Sequence, residues 1–427
     1  MNFTQSKQWL ERAYKVIPSA TQTFSKGPTQ WVRGVSPHFL ERGEGAWVWD
    51  VDGNRYLDYL MALGPIILGY NHPRIQQAVC DQMRAGSTFS MMHRLEVELA
   101  ERLVEIIPGA EMVRFGKNGS DANTAAIRAA RAYTGRDRVA CCGYHGWHDW
   151  FIGSTTRDKG VPKAVAELTH VFQYNDLKSL ERLLIQYPGE FAAVIMEPVG
   201  VEPPQAGYLE GVRELCRSHG VLLIFDEIVT GFRLSLGGAQ AFFGVTPDLA
   251  TFGKAMANGL PLSAVVGPRE IMEIFDEIFY SGTFGGETVS LAAGLATIDE
   301  LQTHNILSQN WKHGEAVHAI LKDLIKQYQL EDVVKLMGYP VRSVLAFPDV
   351  DEKRTRLKRS YFMQECVKRG LLYFCSHIPC GAHGEKELEF TETVFRQVVP
   401  LFASAHRDDL FEQKLEGGCV EAIFRKA

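Results

Sequence analysis

The sequence lacks the features that mark several large classes of protein. No apolar run approaches the length of a membrane span, and the N-terminal residues Met1–Lys7 do not resemble a signal peptide. With 45 basic and 51 acidic residues there is no basic excess of the kind that binds nucleic acid or anionic membranes. No Gly-x-Gly-x-x-Gly fingerprint follows a strand pattern, which disfavours a nicotinamide dehydrogenase. We therefore expect a cytoplasmic protein that spans no membrane and binds no nucleic acid.

The chain also lacks the cysteine pattern of a disulfide framework. Eight cysteines in 427 residues are compatible with a reducing compartment. Cys375, His377, Cys380 and His383 lie close enough in sequence to be compared with a metal site, but their spacing matches no standard zinc pattern. We predict that these four residues are structural and that the chain holds no metal.

Repeats and low-complexity tracts are absent, and 427 residues are too many for one compact core. From about residue 95 the pattern alternates between helix and strand, which is typical of an α/β domain with a parallel sheet. Before it, Trp47–Val51 and Arg55–Tyr59 flank a turn and predict a hairpin. We expect three parts: an N-terminal segment that contributes to a small domain (1–60), a large α/β domain (61–304) and a C-terminal small domain (305–427).

A carboxylate and a lysine follow two strand patterns near the middle of the chain. Val221–Phe225 is apolar without alternation, as in a strand buried on both faces, and it leads into Asp226. Leu249–Gly253 is a second short run and leads into Lys254. Ligands of open α/β sheets bind outside the carboxyl ends of the strands. One interpretation is a buried structural ion pair. The other is a lysine amine that binds an aldehyde cofactor, with a carboxylate that keeps the cofactor's ring nitrogen protonated.

Two further segments are compatible with an aromatic cofactor that carries a phosphate. Gly119 and Ser120 open an alanine-rich helix, where free N–H groups and the helix dipole can bind a phosphate. Serine is also an ordinary helix cap, so this signal alone is weak. Tyr144 stands between glycines after the strand pattern Arg138–Cys142 and can lie flat on a cofactor ring.

These motifs occur in one order with others: Asp50–Asn54, Leu68–Pro73, Tyr144–Gly146, Asp226–Arg233 and then Lys254. In this combination the chain resembles the class III (subgroup II) aminotransferases, which use pyridoxal phosphate, and among them the glutamate-1-semialdehyde aminomutase branch most. The resemblance covers nearly the whole chain. It implies an α/β protein of fold type I, with a mostly parallel seven-stranded sheet in the large domain and a smaller α+β domain.

The resemblance also implies a role for each matching residue. Lys254 would bind the cofactor pyridoxal 5′-phosphate covalently and then move a proton as general acid and base. Asp226 would pair with the pyridine nitrogen. Gly119 and Ser120 would hold the phosphate, and Tyr144 would stack on the ring.

Two loops carry further implications of the resemblance. Thr283, in the glycine-rich loop Ser281–Gly286, matches a threonine that reaches the phosphate of the partner subunit, which implies a homodimer with shared active sites. Val199–Glu202 replaces a longer segment in which the aminomutase branch has an asparagine for the cofactor's ring oxygen, and Glu202 is the nearest candidate replacement. The stretch 151–167, a possible gate, is charged where the family has glycines.

We therefore expect an aminotransferase that moves an amino group from an amino donor to a ketone or aldehyde acceptor. The alternatives are glutamate-1-semialdehyde 2,1-aminomutase and, in another class, a non-catalytic protein that only binds the cofactor. Lys26 and Arg33, in an irregular N-terminal segment, are candidate anchors for an acidic substrate group, unless both simply face solvent.

Overall fold

The computed structural model describes residues 1–421, and the chain forms two compact units. The large unit consists of Gly64–Ile66 and Pro73–Leu307. The small unit consists of Met1–Leu63, Ile67–His72 and the described chain from Ser308 onward. Within residues 1–421, no helix has both the length and the hydropathy to cross a membrane. The division into three parts that was predicted from the sequence (1–60, 61–304 and 305–427) stays a prediction.

The secondary structure is numbered in chain order. The helices are α1 Thr4–Val16, α2 Pro73–Ala85, α3 Arg94–Ile106, α4 Gly119–Thr134, α5 Asp149–Ile152, α6 Lys163–Ala166, α7 Leu177–Gln186, α8 Tyr208–His219, α9 Gly238–Phe243, α10 Arg269–Met272, α11 Thr288–Thr303, α12 Ile306–Gln327, α13 Glu352–Val367, α14 Glu385–Arg407 and α15 Phe411–Lys414. The strands are β1 Leu40–Glu44, β2 Trp47–Asp50, β3 Arg55–Asp58, β4 Met112–Gly116, β5 Arg138–Cys142, β6 Thr169–Val171, β7 Phe191–Met196, β8 Leu222–Asp226, β9 Leu249–Phe252, β10 Ser263–Gly267, β11 Lys335–Tyr339, β12 Arg342–Ala346, β13 Leu371–Leu372 and β14 Ser376–His377.

The large unit is built on a seven-stranded sheet with the order β4-β10-β9-β8-β7-β5-β6. Strands β5 to β9 run parallel to their neighbours, whereas β10 pairs antiparallel with both β9 and β4. Every residue of β7 and β9 is buried, because helices cover both faces of a sheet of this kind. The predicted mostly parallel seven-stranded sheet is confirmed.

Apolar layers cover the two faces of this sheet. On one face α4 packs through its small residues, among them Ala122, Ala126 and Ala130, which are fully buried. On the other face α7 and α8 contribute larger residues such as Leu180 and Val212. A fully buried apolar side chain of that size stabilises the fold by about 1.5–3 kcal/mol. The two layers therefore hold the carboxyl ends of the strands in place.

The small unit contains two smaller sheets. One has the order β1-β2-β3-β13 and the other β11-β12-β14. Strands β2 and β3 pair antiparallel, with Trp47 opposite Leu57, so the predicted hairpin is confirmed. Helices α13 and α14 belong to the same unit.

Four histidines are buried around Tyr59 in the small unit. The Tyr59 hydroxyl lies 2.9 Å from Nε2 of His313, and its ring stacks on His383 with centroids 4.5 Å apart. The ring of His377 lies 6.0 Å from that of His313 and 6.4 Å from that of His318. Burial lowers the pKa of all four imidazoles. This core therefore accommodates the four imidazole rings in their neutral form.

Cys375 and Cys380, near this cluster, are not joined in a disulfide. Both side chains are buried, and burial raises the pKa of the Cys375 thiol to about 12. Among residues 1–421, no three side chains of histidine, cysteine, aspartate or glutamate converge in a way that could hold a metal ion.

We predict that the small unit loses stability as the pH falls from about 6.5 to 4. Burial lowers the pKa of His313 and His318 from 6.5 to about 4. A group whose pKa is lowered in the folded state contributes fully to stability when the pH is above its unfolded-state pKa. This contribution is lost as the pH falls through its folded-state pKa. Each shift corresponds to about 3 kcal/mol at most. In urea unfolding between pH 7 and 4, the free energy of unfolding should decrease less toward acidic pH in His318→Gln than in the wild type. The exposed His304→Gln should match the wild type. An equal decrease in His318→Gln and the wild type would contradict the prediction.

Candidate active site

The carboxyl edge of the large sheet brings most of the predicted site residues together. Strand β8 ends at Asp226, and Lys254 follows its neighbour β9. Tyr144 lies in the loop after β5, and Glu197 directly follows β7. Helix α4, which begins at Gly119, packs against this sheet. The lysine and the carboxylate predicted from two strand patterns therefore follow adjacent strands.

Three donors converge on the carboxylate of Asp226, whose side chain is only 3% exposed. The side-chain amide of Asn123 lies 2.7 Å from Oδ2, and Nδ1 of His145 lies 2.8 Å from the same oxygen. The backbone N–H of Ile228 donates to Oδ1 at 3.1 Å. All three partners can donate hydrogen bonds, so they match an ionised carboxylate.

Further contacts orient two of these donors. The hydroxyl of Thr251 donates to Oδ1 of Asn123 at 2.6 Å, which turns the amide nitrogen toward Asp226. Nε2 of the buried His145 ring lies 3.1 Å from the carbonyl oxygen of Cys142. Since a carboxylate and a carbonyl can only accept, a ring protonated on both nitrogens satisfies both contacts.

Lys254 has an unusual backbone conformation. It begins a short 3-10 turn, Lys254–Ala257, and its φ of 40° lies in the left-handed region that side chains disfavour. A Cβ added to Gly64 would lie 3.9 Å from Cδ of Lys254 and 3.7 Å from a guanidinium nitrogen of Arg233. Gly64 therefore lies close to both basic side chains. Strain of this kind persists only where the surroundings enforce it, and it is common at functional sites.

The first turn of α4 offers N–H groups to a ligand. Asn118 caps the helix by accepting from the N–H of Asp121 at 3.1 Å, and the Asp121 carboxylate accepts from the Asn118 N–H at 3.3 Å. Gly119 and Ser120 follow the cap, where N–H groups have no carbonyl partner within the helix. The positive end of the helix dipole lies at the same place. This turn has the properties of an anion-binding site.

Two glycines allow the close approaches that shape this turn. A Cβ on Gly119 would lie 3.1 Å from the side chain of Ile228. A Cβ on Gly146 would lie 2.2 Å from Oγ of Ser120, and the φ of Gly146 is 105°. Because an alanine would both collide and be strained at position 146, the approach of this loop to α4 requires glycine.

The backbone of Tyr144 is held by Glu197. Oε1 of Glu197 accepts from the Tyr144 N–H at 2.8 Å, and a Cβ on Gly143 would meet the same carboxylate at 2.9 Å. The Tyr144 ring is exposed and meets the ring of Phe151 edge-on, with centroids 5.6 Å apart. Glu197 therefore fixes the position of the residue that is predicted to stack on the cofactor.

The other predicted site residues lie in different surroundings. Thr283 is exposed and lines a cavity of about 960 Å³ together with Lys117 and Asp121. Glu202 is exposed in the segment after β7. Their roles, like those of the other site residues, stay predictions.

Lys26 and Arg33 both belong to the small unit. Arg33 forms an exposed ion pair with Glu421 at 3.5 Å. Lys26 lines a cavity of about 250 Å³ with Trp31, Tyr70 and several apolar residues.

The structure reveals four site residues whose roles the sequence does not predict: Asn123, Thr251, Glu197 and His145. Asn123 carried a signal, since it is a polar residue in an alanine-rich helix, three positions after Ser120 and hence on the same face. The other contacts join residues far apart in the chain, and no local pattern indicates them.

The comparisons with known proteins agree on one family. The profile described as aminotransferase class-III matches residues 31–380. The 3-aminobutyryl-CoA aminotransferase of Cloacimonas acidaminovorans is 37% identical over 408 residues, which covers 93% of this chain and 97% of that protein. The glutamate-1-semialdehyde 2,1-aminomutase of Methanothrix thermoacetophila is 40% identical over 351 residues, covering 78% and 80%. The FumI protein of Sphingopyxis sp. MTA144, solved in its PLP internal aldimine form, superposes with a TM-score of 0.87 at 29% identity, covering 95% and 97%.

Glu227, next to Asp226, provides a test of the site's packing. Its fully buried carboxylate accepts from the N–H groups of Ala239 at 2.7 Å and Gln240 at 2.8 Å, and from the hydroxyl of Thr230. Burial raises its pKa to about 7 and outweighs these hydrogen bonds.

We predict that Glu227 makes the large unit less stable as the pH rises. A carboxyl group whose pKa is raised in the folded state contributes fully to stability when the pH is below its unfolded-state pKa. This contribution is lost as the pH rises through its folded-state pKa. Here the window runs from 4.5 to about 7, and the shift corresponds to about 3 kcal/mol. Guanidinium unfolding at pH 5 and pH 8 measures it. The unfolding free energy of the wild type minus that of Glu227→Gln should be smaller at pH 8 than at pH 5. A constant difference would show that Glu227 does not titrate in this range.

Proposed function

The chain belongs to the class-III aminotransferases, and from that premise we propose that it takes its amino group from an external donor and delivers it to a ketone or aldehyde acceptor. It is an enzyme that depends on pyridoxal 5′-phosphate. When bound, this cofactor supplies the electron sink for the exchange of the amino group. The composition favours the cytoplasm, which we include in the proposal.

The large unit carries the groups that this cofactor requires. The buried carboxylate of Asp226 would bind the protonated ring nitrogen, and the N–H groups of Gly119 and Ser120 would bind the phosphate. Lys254 would hold the aldehyde carbon through Nζ and then move a proton to and from the substrate carbon. Tyr144 would cover one face of the ring.

The proposal of an external amino donor is based on exposed charges in the segment between α5 and α6. Arg157, Asp158 and Lys159 are all exposed. An aminomutase keeps its amino group within one substrate and has to stay closed during the reaction, whereas a transaminase releases one product before the second substrate binds. Charged side chains are costly to bury against a closed pocket. The exposed charges therefore support a site that opens between the two half-reactions.

The relatives suggest which donors to test first. The name of the relative that covers 93% of this chain indicates a substrate with its amino group on the third carbon. We therefore place 3-amino acids and 3-amino acyl thioesters first among the candidates. The aminomutase reaction is the second candidate function, because a relative with that name is 40% identical.

We predict that an amino donor alone converts the bound cofactor and releases a carbonyl product in stoichiometric amount. Absorbance spectra and product quantification after anaerobic mixing with a panel of donors measure this half-reaction. Lys254→Ala is the control and should release at least 100-fold less product in the same time, because its general base is absent. If no donor reacts while glutamate-1-semialdehyde is turned over to 5-aminolevulinate, the aminomutase is the correct function.

We also propose that the enzyme is a homodimer with shared sites. Thr283 lies on a loop that borders the cavity of about 960 Å³, away from any tight packing in its own chain. The same cavity is bordered by the exposed apolar side chains of Met92 (88% exposed), Val97 and Phe284. Exposed apolar side chains grouped in this way are typical of a protein interface. A second copy that covers this surface would bring Thr283 to the other protomer's phosphate.

Mixing two inactive variants tests the sharing. If Thr283 serves the partner's site, a dimer of Lys254→Ala with Thr283→Trp has one site with both defects and one intact site. After subunit exchange at equal amounts, about one quarter of the wild-type activity should return. Lys254→Ala mixed with Asp226→Asn is the matched control, since both residues serve the same protomer's site and no intact site can form. No recovery in the first mixture, with exchange shown by mass spectrometry, would assign each site to one chain.

A further inference from the structure

An ion pair beside the phosphate-binding turn has no role in the function proposed so far. Nζ of Lys117 lies 3.1 Å from Oε2 of Glu287, and the two side chains are only 20% and 17% exposed. Lys117 stands two positions before Gly119. Glu287 caps α11 by accepting from the N–H groups of Val289 at 2.7 Å and Ser290 at 3.2 Å.

Both members of the pair are held in place. Burial opposes ionisation of Glu287, but hydrogen bonds from Ser290 and Lys117 outweigh it and lower the pKa of this carboxyl group. The Lys117 N–H also lies 3.4 Å from the carboxylate of Asp121, in the first turn of α4. The ammonium group is thus fixed between the start of α4 and the start of α11.

The pair is close enough to act on a phosphate at the start of α4. Only Asn118 separates Lys117 from Gly119, so the Cα atoms of these two residues lie at most about 7 Å apart. Charges act over a screening length of about 8 Å at physiological ionic strength, and partly buried charges are screened less than exposed ones. The cation attracts a phosphate dianion, and the carboxylate repels it.

We propose that Lys117 and Glu287 set the affinity of the phosphate site, with Lys117 as an additional phosphate-binding cation and Glu287 as the group that limits its effect. The inference rests on the proposed function in one respect, namely that Gly119 and Ser120 hold the phosphate. It assigns opposite signs to the two residues, which a purely structural ion pair does not.

Pyridoxal 5′-phosphate and pyridoxal differ only in the phosphate, so their relative affinity for the apoenzyme isolates this effect. The readout is the ratio of the two dissociation constants from fluorescence titration. Lys117→Met should reduce the preference for the phosphorylated form by about 3- to 30-fold, and Glu287→Gln should increase it by a similar factor. The double variant should return close to the wild type. Inorganic phosphate, measured as a competitor, should follow the same order.

Arg94 and Glu98 form a matched control pair in the same unit. They are an exposed ion pair one turn apart on α3. Arg94→Met and Glu98→Gln should leave the preference unchanged, because the charges are more exposed and lie outside the turn.

Several outcomes would overturn the inference. If both single variants at 117 and 287 weaken the two ligands equally, the pair is only structural. If Lys117→Met does not fold, Glu287→Gln decides, since glutamine keeps an oxygen that can cap α11 and tighter phosphate binding is expected only from the charge effect. Ser120→Val separates this inference from the proposed function. If that variant leaves the preference unchanged, the phosphate site itself is wrongly placed; if it lowers the preference while Lys117 and Glu287 have no effect, only the present inference is wrong.

Discussion

The burial of one carboxylate is the constraint on which the rest of the site depends. A charged group inside a protein is stable only if donors replace the water that it has lost. Asp226 receives its donors from α4, from the loop after β5 and from its own following backbone. Each of these elements is therefore tied to the end of β8. Their positions in turn place the α4 N-terminus and the Tyr144 loop at one edge of the sheet.

The same constraint explains several small residues in the large unit. Gly146 allows the loop after β5 to lie against Ser120, and His145 of the same loop contacts Asp226. Alanines on α4 let the helix lie close to the sheet, so that Asn123 reaches the carboxylate. Polar contacts and close packing are therefore parts of one arrangement.

Charge is distributed unevenly around the proposed cofactor site. The ring end has Asp226 with its donors, whereas the phosphate end has a helix N-terminus and the Lys117–Glu287 pair. Lys254 lies at the end of the adjacent strand, close to Arg233 and in a strained conformation. A cofactor with a cationic ring nitrogen and an anionic phosphate is complementary to this distribution.

The sequence by itself determined the α/β class, the hairpin at β2 and β3, and the positions of Asp226 and Lys254 at strand ends. These features follow from patterns of a few neighbouring residues, because burial on both faces of a strand or one face of a helix requires a characteristic spacing of apolar residues. The seven-stranded sheet was implied by the resemblance of motifs along the whole chain to one family. Only the tertiary structure decided that Asn123 and His145 donate to Asp226, that Glu197 holds Tyr144, and that Lys117 pairs with Glu287. Those partners are 53 to 170 positions apart in the chain. Such contacts arise from the packing of whole elements, and local periodicity carries no record of which elements become neighbours.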